Sequence, residues 1–186
     1  MRYSSISILV LLSLLFAVTG RLKAASIEST GRTRPLDPIA VEILTRALDR
    51  SPSVQALVRQ LEASDLIVHI NTSRELPSGV GGMTRFVTKS GGHRYVRVTV
   101  SQLLNWQSRV AVLAHELKHA CEVASSTVHD AASMKRLFES TGFRPQLGQD
   151  VFETDAAIQV EHLVRMELRQ RRTTTLEAEP VIKFDH

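Results

Sequence analysis

Residues 106–124 read WQSRVAVLAHELKHACEVA, and the letters HELKH within them occupy positions 115–119. The spacing of the apolar residues predicts a helix over the whole stretch. Positions four apart lie on the same face of a helix, so the side chains of His115 and His119 stand next to each other. Two imidazoles in this arrangement can bind one metal ion. The stretch therefore predicts a helix that carries a metal site.

The residues around the two histidines indicate that this helix also has a buried face. At about 100° per residue, Glu122 falls on the same side as His115 and His119. Small and apolar side chains occupy the opposite side, at the spacing of a helix that packs on a core. They are Val110, Leu113, Ala114, Leu117, Ala120, Cys121 and Ala124. A surface helix with two solvated histidines would not need such a face, so the pattern favours a metal site next to the core.

The spacing of the motif also indicates a reaction class. Glu116 follows the first histidine and lies about 100° around the helix from it. From there its carboxylate can act as general base toward a water molecule activated by the metal. Zinc-assisted hydrolysis, most often of a peptide bond, is the chemistry typical of this motif. We therefore expect one Zn²⁺ per chain as cofactor and Glu116 as the catalytic residue.

A catalytic zinc takes three protein ligands and keeps one position open, so a third ligand is needed. Glu153 is the first candidate, because it shares a predicted helical stripe with Ala157, Val160 and Val164 that directs its carboxylate into the core. A carboxylate in the core needs a charged partner or a metal ion. The alternative is a helix-capping box formed by Asp150 and Glu153. The two roles predict different orientations of one side chain.

Two further carboxylates compete for the third place. Glu122 lies almost two turns beyond His115, which is far along the axis for a bond of about 2.0–2.2 Å. Glu122 is better suited to a contact with a ligand residue, on the side away from the metal, or to a contact with the substrate. Asp155 lies about 200° around from Glu153, so both cannot point at one metal. An acidic residue stabilising a helix N-terminus is the favoured role of Asp155.

Residues 1–25 have the composition of a signal peptide. Arg2 supplies a positive charge, residues 6–18 are almost wholly apolar, and small residues follow. The apolar run is shorter than the roughly 20 residues that a membrane-spanning helix needs. We expect export, to the periplasm or the exterior, and no stable membrane insertion once the signal is cleaved. The alternative is an uncleaved N-terminal hydrophobic anchor.

Charge and cysteine content narrow the function classes. The chain has 23 basic and 19 acidic residues, a net charge of +4. Arg2, Arg21 and Lys23 fall within the predicted signal, and their removal leaves 20 basic residues against 19 acidic, a net charge of +1. No nucleic-acid partner is expected of so nearly neutral a chain. Cys121, the single cysteine, excludes an intramolecular disulfide. The sequence does not predict an oligomeric state.

The remaining residues are enough for one domain with a core. We expect a flexible lead-in over 26–35, the folded domain over 36–172 and a loosely ordered tail over 173–186. Helices are predicted at 38–49, from 52 onward, and at 106–124, 129–140 and 151–170, and strands at 66–70, 84–89 and 93–100. Residues 90–92, Ser-Gly-Gly, predict a tight hairpin turn. The fold class expected is α+β, with a small, mostly antiparallel sheet packed on the motif helix and further helices.

The motif at His115, Glu116 and His119, followed by a glutamate on a later helix, resembles the gluzincin clan of zinc metallopeptidases. The short layout resembles the compact minigluzincin cores, over roughly residues 66–168. The resemblance implies a zincin-like fold, zinc bound by the two histidines and Glu153, and a peptide or protein substrate. In such enzymes a sheet edge lines the cleft above the motif helix. The strand ending at Val100 is placed for that part, where an extended peptide could bind by strand addition.

The chain departs from the gluzincin pattern at one position. Many gluzincins have an aspartate four residues after the third ligand, where it steadies a ligand histidine. That position is Ala157 here, so the supporting role has no residue assigned to it. The metzincin pattern fits poorly, because it would need glycine and histidine where the chain has Glu122 and Ser125.

Three functions are consistent with these observations. The first is an exported zinc metallopeptidase, for which the candidates for an oxyanion-stabilising donor are His93, Tyr95 and His162. The second is a zinc-retaining but non-proteolytic binding module on the same scaffold, since no donor stands out. The third is a helical protein in which the motif arose by chance.

Overall fold

The computed structural model of the protein describes residues 31–144 and 152–177, with the backbone alone for 171–177. In chain order its elements are β1 (Thr33–Pro35), α1 (Pro38–Arg50), α2 (Pro52–Glu62), β2 (Leu66–Ser73), β3 (Gly82–Ser90), β4 (His93–Ser101), α3 (Trp106–Ala124), α4 (Ala131–Thr141) and α5 (Asp155–Glu177). The expected signal over 1–25, and the location that depends on it, lie outside these residues. No helix among them is long and apolar enough to cross a membrane.

The α+β class is confirmed, but the expectation of a mostly antiparallel sheet is wrong. The strands are ordered β1-β2-β4-β3, with β1–β2 and β2–β4 parallel and only β3–β4 antiparallel. The hairpin turn has Gly91 and Gly92 at φ of 57° and 79°, the left-handed region that glycine tolerates. This hairpin inserts β4 between β2 and β3, so the central pairing is between two strands that run in the same direction.

Helix α3, which carries the motif, is the centre of the fold. It was expected to have one buried face, but it is buried on nearly every side, including the side with His115 and His119. The sheet presents Val68, Ile70 and Val98 from its inner face to the core that includes this helix. Helix α5 packs along α3 on the histidine side, where its Glu161 contacts His115. The polar face of the motif helix is therefore enclosed by the protein.

Side-chain hydrogen bonds cap the N-termini of α1 and α2. Asp37 accepts a hydrogen bond from the amide of Ala40 at the start of α1, and Ser51 accepts one from Val54 at the start of α2. Each cap is followed by a proline, whose fixed φ suits the first helical position. Asp37 also accepts the amide of Thr72, which ties α1 to the end of β2.

Arg94 fixes the C-terminal end of the motif helix to the sheet. Its buried guanidinium donates to the carbonyl oxygens of Val123 and Ala124 in the last turn of α3, and to two more just beyond it. It also forms an ion pair with Asp65, with Nη2 at 2.6 Å from Oδ1. A positive charge is favourable where unpaired carbonyls end a helix. The C-terminal end of the motif helix is therefore held in place against β4.

Some boundaries differ from the sequence-based expectation. Residues 33–35, placed in a flexible lead-in, form the strand β1, because they find a parallel partner in β2. Helix α5 begins at Asp155 rather than at 151, and it continues to Glu177, into the expected loose tail. Glu153 therefore precedes the helix instead of lying in its first turn. Asp150, the other half of the suggested capping box, lies outside the described residues.

Candidate metal centre

The two histidines of α3 converge on one point inside the protein. Their Nε2 atoms are 3.1 Å apart, and the rings meet edge to face. Only about one twentieth of each residue is exposed to solvent. Phe138 of α4 packs against the His119 ring with 5.1 Å between ring centroids. The pair is thus almost fully enclosed by the protein.

Glu153 completes the group from a different part of the chain. Its Oε2 lies 2.7 Å from His115 Nε2 and 4.0 Å from His119 Nε2. The backbone of Glu153 exchanges two hydrogen bonds of 2.9 Å with Phe143, which forms a small bridge ahead of α5. Gly142 permits this bridge, since a Cβ there would lie 2.4 Å from the Glu153 carbonyl oxygen. The carboxylate points at the histidines, as a ligand would, and not at the helix backbone.

The arrangement of donor atoms fits a zinc ion. Zinc ligands at about 2.0–2.2 Å in a tetrahedron stand about 3.3 Å from one another. The three separations of 2.7, 3.1 and 4.0 Å bracket that value. Glu153 Oε2 is buried and has no hydrogen bond of standard geometry among the described residues. His115, His119 and Glu153 therefore form a cluster that can hold a metal ion.

Glu161 supports His115 from behind. Its Oε2 lies 3.1 Å from His115 Nδ1, within ion-pair distance but outside the directions that a hydrogen bond accepts. Arg165 holds the same carboxylate through two hydrogen bonds to Oε1, of 2.7 and 3.2 Å. Burial lowers the pKa of His115, but the carboxylates of Glu153 and Glu161 more than offset this and raise it to about 10. His115 and Arg165 in turn hold the pKa of Glu161 down at about 2.

Glu122 supports His119 in the same way. Its Oε2 lies 3.0 Å from His119 Nδ1, and its Oε1 accepts a hydrogen bond from the Thr154 hydroxyl. Burial raises the pKa of Glu122, yet its contacts with His119 and Thr154 outweigh that and lower it. Each histidine therefore presents Nε2 to the centre and has a carboxylate at Nδ1, the arrangement that orients metal-binding imidazoles.

Glu116 points from α3 toward the strand β3. Its Oε2 accepts a hydrogen bond of 2.7 Å from the hydroxyl of Thr84. Burial raises the pKa of this carboxyl, and the two histidines counteract part of the increase. The strand passes so close that a Cβ at Gly82 would lie 2.6 Å from Val112 and 2.7 Å from the Glu116 carboxylate. A side chain at position 82 would therefore force Val112, Glu116 or the strand itself to move.

A cleft of about 560 Å³ opens onto this group between β3 and α4. Its walls are mostly apolar and include Phe86, Met134, Phe138 and Phe152. The expectation that the strand ending at Val100 lines the cleft is wrong, because β4 is an inner strand and β3 is the edge. Glu116, His119 and Glu153 contribute to the cleft lining, so these side chains are accessible from it.

Four other predicted residues lie away from the metal centre. His93 contacts the Arg32 guanidinium at 3.0 Å, and Tyr95 packs with the ring of His69. His162 and Asp155 are exposed on α5. None of the four lines the cleft beside the cluster. Tyr95 lies on the opposite face of β4 from the buried Val96, which explains why the phenol cannot reach the site.

Three residues of the site were missed by sequence reasoning: Glu161, Arg165 and Thr84. Glu161 lies four positions after Ala157, on the same side of α5, so a search at two turns beyond Glu153 as well as one would have found it. Arg165 follows at the next i, i+4 step. Thr84 carries no signal in the sequence, because only the position of β3 across the motif brings it to Glu116.

Comparison of the chain with protein-family models, with curated proteins and with solved structures gives no match.

Proposed function

We propose that the protein is a zinc-dependent peptidase in which His115, His119 and Glu153 hold the metal and Glu116 is the general base. The observation that carries the proposal is the convergence of two buried Nε2 atoms and a buried carboxylate oxygen on one point. The zincin-like character of the fold and an exported location are parts of the same proposal, and they rest on the motif and on residues 1–25 respectively.

The residues present suit the reaction. When bound, zinc supplies Lewis acidity, which activates a water molecule and polarises a carbonyl group. Glu116 takes the proton of the attacking water and delivers it to the departing amine. Thr84 holds the carboxylate toward the cleft through its hydroxyl.

The walls of the cleft favour a polypeptide over a small polar substrate. They are largely apolar, and one of them is the edge strand β3, whose outer backbone groups have no strand partner among the described residues. An extended chain can pair with such an edge. Thr84 lies on this strand, so a chain bound there would pass directly over Glu116.

The test begins with the metal. Purified protein should contain one zinc per chain, and a chelator should lower its melting temperature. Glu116→Gln keeps all three metal-binding side chains, so it should retain zinc while cleavage of a peptide library stops. Glu42→Gln, at an exposed glutamate of α1, is the matched control and should leave cleavage unchanged. A protein without zinc and without a metal-dependent melting shift would sink the proposal.

A second candidate is a zinc-retaining binding module without proteolytic activity. One observation favours it: His93, Tyr95 and His162 all lie away from the cleft, so none of these candidates can stabilise an oxyanion. This candidate predicts normal zinc content, peptide binding, and no cleavage by the wild-type protein. Peptide cleavage that Glu116→Gln abolishes decides for the peptidase.

A further inference from the structure

The outer face of the sheet carries a row of basic side chains across all four strands. Arg34 of β1 stands opposite His69 of β2, His69 opposite Arg97 of β4, and Arg97 opposite Arg85 of β3. We call these four residues the cation row. Like charges directly opposite each other on adjacent strands are destabilising. The facing pair Arg85 and Arg97 therefore lowers the stability of the sheet.

The two residues of the row that lie nearest the cleft, Arg85 and Arg97, have no acidic partner in the part of the chain that the structure describes. Neither Arg85 nor Arg97 forms an ion pair with a described residue, and both side chains are exposed. Among the described residues, Glu75 is the single acidic residue that lines the shallow cleft beside them, and it is itself exposed. Burial lowers the pKa of His69, and the charges of Arg34 and Arg97 lower it further. The field over this face is thus positive.

The cation row reaches the same edge of the sheet as the metal centre. Strand β3 carries Arg85 on its outer face and, one residue earlier, Thr84 on its inner face against Glu116. Arg85 lines both the cleft over the metal centre and the shallow cleft on the outer face. A chain that runs along β3 would therefore meet both surfaces at once.

Successive side chains of an extended chain point to opposite faces of the sheet it joins. On one side such a chain would meet the apolar wall formed by Phe86, Met134 and Phe138. On the other side it would meet Arg85, with Arg97 on the next strand. The two sides of the edge strand therefore call for different side chains in alternation.

We propose that the substrate is an extended peptide in which apolar side chains facing the cleft alternate with an aspartate or glutamate that faces Arg85 and Arg97. This inference rests on the proposed function for the place where the peptide binds. Arginine favours carboxylates because its planar guanidinium can donate two parallel hydrogen bonds to one of them. The carboxylate would also relieve the repulsion within the cation row.

The experiment compares peptides that differ at one outward position, which is glutamate, alanine or lysine, with the apolar positions kept constant. Cleavage is measured as kcat/KM with wild-type protein, and binding is measured by fluorescence anisotropy with Glu116→Gln. At low ionic strength the glutamate peptide should be favoured over the alanine peptide by roughly fivefold, and the preference should shrink as salt rises. The lysine peptide should be the poorest.

Substitutions of the two arginines then test whether these residues cause the preference for the glutamate peptide. In Arg85→Gln and Arg97→Gln the ratio between the glutamate and alanine peptides should fall toward one, and in Arg85→Glu the lysine peptide should become the better of the two charged ones. Arg59→Gln removes an exposed arginine of α2 and should keep the wild-type ratio. Zinc content and melting temperature, measured on every variant, separate a lost preference from a lost fold.

The failures of the two proposals are distinguishable. Cleavage of all peptides without an acidic preference, or a preference that survives both arginine substitutions, would overturn the inference and leave the peptidase intact. An Arg85-dependent preference in binding, with no cleavage by the wild-type protein, would support the inference and reject the peptidase.

Discussion

The Nδ1 atom of His115 lies 3.1 Å from Oε2 of Glu161, a glutamate two helical turns beyond the third candidate ligand. A carboxylate at this position fixes the orientation of the ring and makes its other nitrogen a better donor to a metal. The gluzincin pattern, which the sequence resembles, leads one to look for this support at position 157, where the chain has alanine. Here the supporting carboxylate belongs to Glu161, one turn later, and Arg165 donates a hydrogen bond to that carboxylate.

Replacing this glutamate should weaken the metal site without unfolding the protein. In Glu161→Gln we expect zinc affinity to fall by about 10- to 100-fold, because His115 loses the carboxylate that orients it. Competition with a chromophoric chelator measures the affinity. Glu167→Gln is the matched control on the same helix, since Glu167 bonds Ser51 and Ser53 instead. Equal zinc affinity in the two variants would contradict a supporting role for Glu161.

Gly82→Ala tests the close passage of β3 over the motif. The added Cβ would stand 2.6 Å from Val112 and 2.7 Å from the Glu116 carboxylate, so the strand or the base must move. We expect cleavage to fall by at least tenfold while zinc content is retained, since none of the three metal-binding residues is touched. Gly81→Ala is the control, because its nearest neighbour would lie at 3.3 Å. Unchanged cleavage in Gly82→Ala would show that cleavage does not depend on the close approach of β3 to Glu116.

Gly142→Ala tests how Glu153 is placed. A Cβ at this position would lie 2.4 Å from the Glu153 carbonyl oxygen and would break the bridge to Phe143. Zinc affinity should fall, because Glu153 reaches the histidines only from this bridge. Ser140→Ala removes an exposed hydroxyl nearby and should leave the affinity as it is. Isothermal titration measures the zinc affinity of both variants. Equal affinities would show that the bridge does not position Glu153 for metal binding.

Acid stability should depend on the pair formed by Asp65 and Arg94. The hydrogen bonds from Arg94 lower the pKa of Asp65 below its ordinary value. A carboxyl group whose pKa is lower in the folded state stabilises the fold above its unfolded pKa, about 3.9, and this contribution is lost as the pH falls through the folded value. Asp65→Asn should therefore lower the melting temperature at pH 7, and the difference from wild type should shrink toward pH 2.

Thermal melts from pH 7 to pH 2 check this dependence. Asp49→Asn is the control, since Asp49 is 70% exposed and its ion pair with Arg50, at 3.7 Å, is a surface contact worth little. A constant difference in melting temperature between Asp65→Asn and wild type across the whole range would mean that the ionisation of Asp65 does not stabilise the fold.

The sequence predicted the helices better than the sheet. The motif helix has the predicted limits, Trp106 and Ala124, because its apolar spacing and its position after Asn105 are local signals. The order of the strands depends on which strand β4 joins after the hairpin, and in the structure β4 pairs with β2 on its other side. Alternation shows which side chains are buried but not which strand is the neighbour.

The residues of the site likewise divide into those that the local sequence predicts and those that only the fold places. His115, Glu116 and His119 are close in the sequence, and helical geometry alone brings them together. Glu153 could be proposed as a ligand but not placed, since its position depends on the bridge with Phe143. His93, Tyr95 and His162 were reasonable donors by residue type, yet they lie on surfaces that face away from the cleft.

The sequence by itself determined the motif, the helix that carries it and the core face of that helix, because each depends on contacts within a few residues. Only the tertiary structure decided that Glu161 stands behind His115, that Thr84 holds Glu116, and that β3 is the free edge of the sheet in the part of the chain that the structure describes. The contacts of Glu161 with His115 and of Thr84 with Glu116 join residues that are 30 or more positions apart. They arise from how helices and sheet pack, which local spacing does not encode.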